Sequence, residues 1–330
     1  MLRVDLPLVS VLLVFLTAGL VGCTATDPGP GPDRRTGCGP VAFDDVRGTP
    51  PSYLERQELD RFPNDHAMCA GLWLHTGHGF VPQGVAVDHG TAWVSGFDGD
   101  APLHERYCLV ERYDVRTGER LDRLDPVAGQ VGEREPLKCR HGGGLVLDGH
   151  GLWLVETSRL WLIDPDTLDV QRVWALAPPL RGSFALSDGH GRLGVGRWHP
   201  RRAGQVDWFD PAALLASSAL DITPAMSSGH TGAPPSTQGA VWAALGGGRP
   251  APWFARSVTR CGMLVGPDGT RRRAFVPGAE GMDLVGRSLW VVSESGTEHY
   301  QGLGGRPVVP QLVRLDVSDF ATWRRPSCRL

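Results

Sequence analysis

The sequence is nearly devoid of lysine. Lys138 is the single lysine among 33 basic residues in a chain of 330, so arginine carries almost all of the positive charge. These residues form no basic block, and the formal net charge is −3. Proteins that bind nucleic acid through its phosphates usually present a concentrated basic surface. We therefore predict that nucleic acid is not a partner.

Several sequence motifs with known chemistry are also missing. The chain has no Gly-x-Ser-x-Gly elbow and no phosphate-binding loop. No cysteines have C-x-x-C spacing, which argues against a zinc cluster. His66, His75 and His78 are close in sequence, but no paired carboxylate accompanies them. The sequence thus predicts neither a metal site nor a cofactor.

The one long apolar run lies near the N-terminus. Leu6 to Leu20 is mostly apolar and follows Arg3. It is shorter than the ~20 residues that a membrane span needs, and it is typical of the h-region of a secretory signal. The run closes with "LVGC", which resembles a bacterial lipobox. This resemblance implies a signal peptide over residues 1–22, acyl chains on Cys23, and an exported protein anchored to the outer face of the cell membrane. The alternative is an ordinary signal peptide with a chance cysteine.

The rest of the chain divides by composition. Residues 23–37 are rich in Pro, Gly, Asp and Thr without apolar periodicity, which predicts a flexible tether. Residues 38–80 form an N-terminal segment, and residues 81–330 contain a repeat. Glycine and proline together make up just over a fifth of the chain, with 44 and 27 residues. Long helices are therefore not expected.

The repeat consists of short apolar strands separated by turns. Three clear copies are "PQGVAVDHGTAWVSGF" from Pro82, "GGGLVLDGHGLWLVET" from Gly142 and "AEGMDLVGRSLWVVSES" from Ala279. Two further copies begin at Arg181 and Thr237. Each has a glycine, an apolar strand, a Gly- or Asp-rich turn and a second apolar strand, and further strands follow. Four-stranded units recurring every ~40–50 residues are typical of a β-propeller.

From about Phe80 to Leu330 the pattern resembles the NHL, quinoprotein-like and gluconolactonase-like group of bacterial propellers. The resemblance implies an all-β fold with four antiparallel strands per blade. We favour five blades, with Leu72 to His75 adding a strand that closes the ring, although a sixth blade could lie between Cys38 and Gly79. Trp93, Trp153 and Trp290 on second strands would fill the faces between blades. The alternative is a β-sandwich or two small β domains.

Propeller geometry predicts where a ligand would bind. The connections that enter the innermost strands converge on the axis, and ligand pockets favour converging loops. The residues before the entrance glycines are polar, and we predict that they bind the ligand: Gln83, His141, Arg181, Gln238 and Glu280. The ends of the second strands would add a second ring: Asp98, Glu156, Arg197 with His199, Arg256 and Glu294. The alternative is that these polar residues only contact water.

Our first functional hypothesis is a surface-anchored, non-enzymatic propeller that binds an unknown protein or small molecule at this mouth. The second is a hydrolase, lyase or cyclotransferase that uses Glu280 or Glu156 as a general base with His141 nearby. Gluconolactonase-like propellers hold a divalent cation at the axis, which Arg181 would repel. The motifs "TQG" and "LWLVETS" resemble pieces of plant-type glutamine cyclotransferases, but they fall in different repeats. Streptogramin-lyase-like propellers use His and Glu, and only His141 and Glu280 match.

Six cysteines remain after Cys23, and an exported protein can keep disulfides. Cys108 opens a third strand, and Cys139 precedes the inner strand of the next repeat. Both belong near the same face of adjacent blades, so we predict that they pair. Cys38 with Cys69 and Cys261 with Cys328 are weaker predictions, and free buried thiols are the alternative.

Overall fold

The computed structural model describes residues 38–74, 79–303 and 307–328. Predictions for the signal peptide, Cys23 and the tether lie outside these residues, as do His75 and His78. The described chain forms five antiparallel sheets in a ring, each with at least four strands. The predicted all-β, five-bladed propeller is thus confirmed. No helix among the described residues has the length and apolar character needed to cross a bilayer.

The blades follow one another along the chain, and in each blade the first strand lies innermost. Blade 1 comprises Phe80–Asp88, Thr91–Asp98, Cys108–Asp114 and Arg120–Leu124. Blade 2 comprises Gly144–Asp148, Gly151–Glu156, Arg159–Ile163 and Val170–Leu176, with Asp221–Ile222 pairing in parallel at its edge. Blade 3 comprises Phe184–Ser187, Leu193–Arg197, Gly204–Phe209 and Gly229–Ala233. Blade 4 comprises Thr237–Ala243, Ala251–Val258, Cys261–Val265 and Arg272–Phe275. Blade 5 comprises Ala279–Val285, Ser288–Ser293, Leu312–Asp316 and, from the N-terminal segment, Met68–Leu72.

Blade 5 joins the two ends of the described chain. Its outer strand, Met68–Leu72, pairs antiparallel with Leu312–Asp316. The sequence analysis placed a closing strand at Leu72 to His75, and the strand lies a few residues earlier, over an apolar run beside Trp73 and Leu74.

The remaining elements are short. Two-residue strands occur at Ala128–Gly129 and Leu137–Lys138, and helical turns at Phe43–Asp45, Asp65–Ala67, Pro211–Ala216, Pro224–Met226, Leu245–Gly247, Glu298–Gln301 and Phe320–Thr322.

The hydrophobic core is divided into layers between neighbouring blades. Trp93 packs with Trp161 between blades 1 and 2, and Trp153 packs with Trp174 between blades 2 and 3. Trp290 packs between blades 5 and 1. Each sheet buries both of its faces only because it has a neighbour on each side, so the ring provides the core that no blade has alone.

The inner strands approach one another closely around the axis. A β-carbon on Gly144 would lie 2.3 Å from the backbone nitrogen of Ala185 in the next blade. One on Gly239 would lie 2.1 Å from the carbonyl oxygen of Glu280. Both distances are shorter than a real contact, so these positions require glycine. Crowding at the axis therefore explains why the repeat has glycine at these positions in blades 2 and 4.

Three disulfides join Cys38 to Cys69, Cys108 to Cys139 and Cys261 to Cys328. They are the same three pairs that the sequence analysis named. Cys108 and Cys139 meet because the start of a third strand and the approach to the next inner strand share one face. Disulfides persist in oxidising compartments, so three of them fit a protein that is exported from the cytoplasm.

Candidate functional site

The candidate site lies on the face where inner strands begin and second strands end, which we call the entrance face. Inner strands run away from this face and second strands return to it, since each pair is antiparallel. Polar residues at these positions in different blades therefore meet around the axis. The opposite side, where inner strands end, is called the exit face.

Glu280 and Gln238 form the centre of the site. Glu280 is the second residue of the inner strand of blade 5, and Gln238 is the second residue of the inner strand of blade 4. The Nε2 atom of Gln238 donates a hydrogen bond to Oε1 of Glu280 at 2.9 Å. Glu280 is only 3% exposed. Two residues predicted to bind a ligand are thus brought together across a blade boundary.

A second carboxylate, that of Glu294, lies beside Glu280. Glu294 follows the second strand of blade 5, and its backbone nitrogen donates to the Gly278 carbonyl at 3.0 Å. The hydroxyl of Ser295 donates to the Thr259 carbonyl, which fixes this turn against blade 4. Burial raises the pKa of Glu280 well above its usual value, and the negative charge of Glu294 raises it further. The hydrogen bond from Gln238 opposes both effects only in part.

Tyr300 reaches the carboxylates from the long loop between the second and third strands of blade 5. Its hydroxyl is hydrogen-bonded to Glu294, and its pKa is raised by burial and by the charges of Glu294 and Glu280. The loop is tied down by Gln301, whose Nε2 donates to the carbonyls of Ser295 at 2.8 Å and Pro307 at 2.9 Å. Tyr300 is therefore a protonated hydrogen-bond donor at neutral pH.

A loop of blade 1 forms the other side of the site. Arg106 donates to the carbonyls of Gly99 and Ala101, and its guanidinium lies 5.6 Å from the centre of the Phe97 ring. His141 stacks on the same ring, with centroids 4.9 Å apart. His141 is solvent-exposed, yet neighbouring atoms partly desolvate its ring. This desolvation and the charge of Arg106 lower the pKa of His141, which favours the neutral imidazole.

The two loops touch above the entrance. The Nδ1 atom of His299 in blade 5 lies 3.7 Å from the Oδ1 atom of Asp100 in blade 1. Asp98, a predicted member of the second ring, accepts hydrogen bonds from the backbone nitrogens of Asp100 and Ala101. Asp98 thus shapes the blade 1 loop. The charge of Arg106 acts on both Tyr300 and His141, which links the two sides of the site.

The other predicted residues lie elsewhere. Glu156 is buried in an ion pair with Arg159 of the same blade, and burial nevertheless raises its pKa. Gln83 is buried, and its Nε2 atom donates to the carbonyl of Pro82 at 3.1 Å. Arg181 is exposed before the inner strand of blade 3. No hydrogen bond or ion pair described by the structure joins these side chains to Glu280.

The positions of the axial glycines along the inner strands explain where Arg181 and His141 lie. Gly144 approaches Ala185 at the axis, so Ala185 occupies the ring position in blade 3 that the sequence analysis assigned to Gly182. In blade 2 the residue before Gly144 is Gly143, and His141 lies three positions before the ring. In the second ring, Arg197 ends the second strand of blade 3 and His199 lies in the loop that follows. The charge that acts on Arg256 is that of Arg272, on the outer strand of blade 4.

Two cavities lie near the axis or beside the blade 5 loop, and Glu298 and Gln301 of that loop line the larger one. A groove of about 880 Å³ separates the N-terminal segment from blades 4 and 5. A smaller cavity of about 170 Å³ is lined by inner-strand residues of blades 2, 3, 4 and 5 toward the exit face. The one grouping of possible metal ligands among the described residues is Cys38, Cys69 and Asp316, and its cysteines are joined in a disulfide. That group therefore offers no thiolate.

Phe97, Arg106 and Tyr300 were not singled out from the sequence. They lie in or next to the connections between second and third strands in blades 1 and 5, which run from Asp98 to Cys108 and from Ser293 to Leu312. The corresponding connection in blade 2 runs only from Glu156 to Arg159. Unequal loop lengths on one face are therefore the sequence signal that could have located the site, since binding residues concentrate on long loops.

The fold and the site define the chain as a five-bladed propeller with a polar cluster at the entrance end of its axis. No family model matches the chain, and no curated protein matches it. The resemblance to NHL, quinoprotein-like and gluconolactonase-like propellers therefore stays a prediction.

Similar solved structures include the crystal structure of a nidogen/laminin complex, which is 12% identical over 77% of this chain and 82% of that chain, with a TM-score of 0.38. BamB from Moraxella catarrhalis is 14% identical over 71% of this chain and 57% of that chain, with a TM-score of 0.28. The extracellular domain of BT4673 from B. thetaiotaomicron is 13% identical over 76% and 37%, with a TM-score of 0.39. These similarities carry no functional argument, and the fold assignment rests on the five sheets.

Proposed function

We propose that the protein is an exported, surface-anchored propeller that binds a ligand at the entrance end of its axis without transforming it. One observation carries this proposal: Glu280, buried and hydrogen-bonded to Gln238 of the next blade, lies beside a second carboxylate, that of Glu294. No charge that lowers the pKa of Glu280 acts on it within the described residues. Such an arrangement is costly for folding, as functional sites often are.

The ligand group that fits this site donates hydrogen bonds or carries positive charge. A cationic or donor group would satisfy the carboxylates of Glu280 and Glu294 and offset their mutual repulsion. His141, which stacks on the buried Phe97, offers a flat face at the rim, where an apolar part of the ligand could stack. The hydroxyl oxygen of Tyr300, whose hydrogen is engaged with Glu294, remains as an acceptor for a donor group on the same ligand.

A thermal-shift panel of amines, guanidines, carboxylic acids and neutral sugars tests the proposal, with hits measured by calorimetry. We expect an amine or guanidine to raise the melting temperature of the wild-type chain and to bind Glu280→Gln at least about ten-fold more weakly. Glu156→Gln is the matched control, because Glu156 is a buried carboxylate that already has an arginine partner. Hits that bind both variants equally, or a panel with no hit, would contradict the proposal.

Acid–base catalysis is the second candidate, because two neighbouring carboxylates with different environments are also the arrangement of a catalytic acid and base. Glu280 would be the protonated member, and Glu294 would be the base. Glu156 does not fit this role, since Arg159 occupies it. A panel of chromogenic esters and glycosides tests this candidate. An activity that is lost in Glu280→Gln, Glu294→Gln and His141→Ala, and kept in Glu156→Gln, would favour catalysis over binding alone.

Anchoring through acyl chains on Cys23 belongs to the same proposal. The three disulfides support export, and the "LVGC" motif supports lipidation. Metabolic labelling with a fatty-acid probe tests it in cells that express the full chain. We expect the label on the wild-type chain and none on Cys23→Ser. Equal labelling of both would refute lipidation at this residue.

A further inference from the structure

The outer edges of the blades are protected to different degrees. Blade 2 is covered by Asp221–Ile222. In blade 4 the backbone nitrogen of Ala274 donates to the Arg324 carbonyl at 2.9 Å, and in blade 5 the nitrogen of Arg47 donates to the Gly71 carbonyl at 2.9 Å. An uncovered edge strand is a template for pairing with another chain, so such coverage prevents unwanted association.

Blades 1 and 3 have no covering strand among the described residues. In blade 1 the outer strand, Arg120–Leu124, carries three charged residues, and charge is the usual protection of a bare edge. In blade 3 the outer strand, Gly229–Ala233, reads "GHTGA" and carries none of the usual protections. Its first, second and fourth residues are exposed, and a β-carbon on Gly229 or Gly232 would meet no atom within 4 Å. Blade 3 thus presents an open and largely exposed edge.

A positively charged loop adjoins this edge. It connects the second and third strands of blade 3 and includes Trp198, which is 42% exposed. The Ser236 backbone nitrogen donates to the His199 carbonyl at 2.8 Å, which places the loop at one end of the outer strand. Four arginines in and near the loop have no carboxylate partner among the described residues: Arg181, Arg197, Arg201 and Arg202. Their positive charge affects a neighbouring residue. Desolvation lowers the pKa of His199, and the charges of Arg202 and Arg197 lower it further.

We propose that the open edge of blade 3 and its arginine loop bind an extended acidic segment of a partner protein by strand addition. A peptide backbone is the group that satisfies an edge strand, while alternate side chains of the added strand point to one face. Arginine pairs with carboxylates through two parallel hydrogen bonds. Tryptophan and arginine are also the residues most enriched at the centres of protein interfaces. This surface belongs to a different blade from Glu280, so it is independent of the proposed function.

The test uses the full chain and a fluorescent peptide of alternating glutamate and valine, with binding followed by anisotropy at about 10 mM and about 150 mM salt. A second peptide keeps the same charge but has proline in place of valine, so it cannot extend a sheet. We expect the first peptide to bind at low salt and the second to bind at least about ten-fold more weakly. Amide hydrogen exchange at His230, Thr231 and Gly232 should slow when the first peptide is bound.

The charge requirement is tested with Arg201→Glu/Arg202→Glu, which should weaken binding at least about ten-fold. The matched control is Arg116→Glu/Arg287→Glu, which makes the same change in net charge on the exit face, where each arginine pairs with an aspartate. The control should weaken binding less than about two-fold. Three results would overturn the proposal: no binding of the first peptide, equal binding of the proline peptide, or equal loss in both double variants. Tighter binding of heparin or phosphatidylglycerol vesicles through the same arginines would also overturn it, in favour of another polyanion.

Discussion

Glu280 and Asp283 lie on the same inner strand of blade 5, at opposite ends of the propeller axis. Burial raises the pKa of both. Asp283 accepts hydrogen bonds from the backbone nitrogens of Val87 at 2.7 Å and Leu284 at 2.8 Å. Glu280 instead meets the side chain of Gln238 and the charge of Glu294. Asp283 therefore joins blades 5 and 1 through the main chain, while Glu280 lies among side chains that can turn toward a ligand.

This difference separates a structural carboxylate from a functional one. Main-chain donors cannot move away, so a carboxylate that they bind is committed to the fold. A carboxylate beside another carboxylate destabilises the fold, and a site of this kind persists where binding or catalysis requires it. Substitutions at the two ends of the axis should consequently change stability in opposite directions.

The largest effect is expected at Asp283. Asp283→Ala leaves two backbone N–H groups without their acceptor, so it should lower the free energy of unfolding by about 2–3 kcal/mol. Chemical denaturation measures this change, and ligand binding at the entrance should be unaffected. Asp88→Ala is the control, because Asp88 is half exposed on the exit face and pairs with His89. If both variants lose a similar free energy of unfolding, Asp283 does not have the structural role described here.

Glu280→Gln should have the opposite sign. The variant replaces the buried carboxyl group that faces Glu294 with an amide that cannot ionise, so we expect the free energy of unfolding to rise by about 0.5–2 kcal/mol. The matched control is Glu111→Gln, since Glu111 is equally buried but its Oε1 accepts from Arg120 at 2.8 Å. Glu111→Gln should instead have a lower free energy of unfolding than the wild-type chain, as measured by chemical denaturation. If Glu280→Gln also has a lower free energy of unfolding, the proposed difference between Glu280 and Asp283 is wrong.

The stability gained in Glu280→Gln should depend on pH. The pKa of Glu280 is raised in the folded state above its ordinary value of 4.5, so the folded state holds this proton more tightly than the unfolded state does. The resulting stabilisation of the wild-type chain is complete below the unfolded pKa and is lost as pH rises through the folded pKa. The free energy of unfolding of Glu280→Gln should thus exceed that of the wild-type chain by an amount that grows as pH rises above about 4.5. The largest difference expected is the about 0.5–2 kcal/mol already given for this variant. Denaturation series across pH measure it, and a constant difference would show that Glu280 does not titrate as described.

The smallest effect is expected at Tyr300. Tyr300→Phe removes the hydroxyl that is hydrogen-bonded to Glu294, and we expect a loss of about 0.5–1 kcal/mol with weaker ligand binding. Tyr53→Phe is the control, because the Tyr53 hydroxyl donates to the Gly296 carbonyl at 2.9 Å in the same loop region. It should lose similar stability and keep ligand binding. Equal binding by the two variants would exclude Tyr300 from the site.

Much of the architecture could be predicted from the sequence. Strands bounded by Asp-Gly and Asp-x-x-Thr-Gly turns are encoded locally, and so are the tryptophans that fill each interface between blades. The Cys108–Cys139 disulfide follows from the repeat, because the start of a third strand and the approach to the next inner strand must share a face. The entrance residues were only partly predictable, since "HGGG" and "RGSF" leave the register of the axial glycine ambiguous by two or three positions.

By itself, the sequence determined the repeat, the all-β fold and the face on which polar residues converge, because strand patterns, turn residues and glycine spacing are local properties of the chain. Only the tertiary structure decided that Gln238 meets Glu280, that Glu156 is held by Arg159, and that Tyr300 and Arg106 reach the site from two long loops. The path of a long loop and the choice of a charge partner depend on contacts between residues far apart in sequence. Those contacts exist only once the ring has closed.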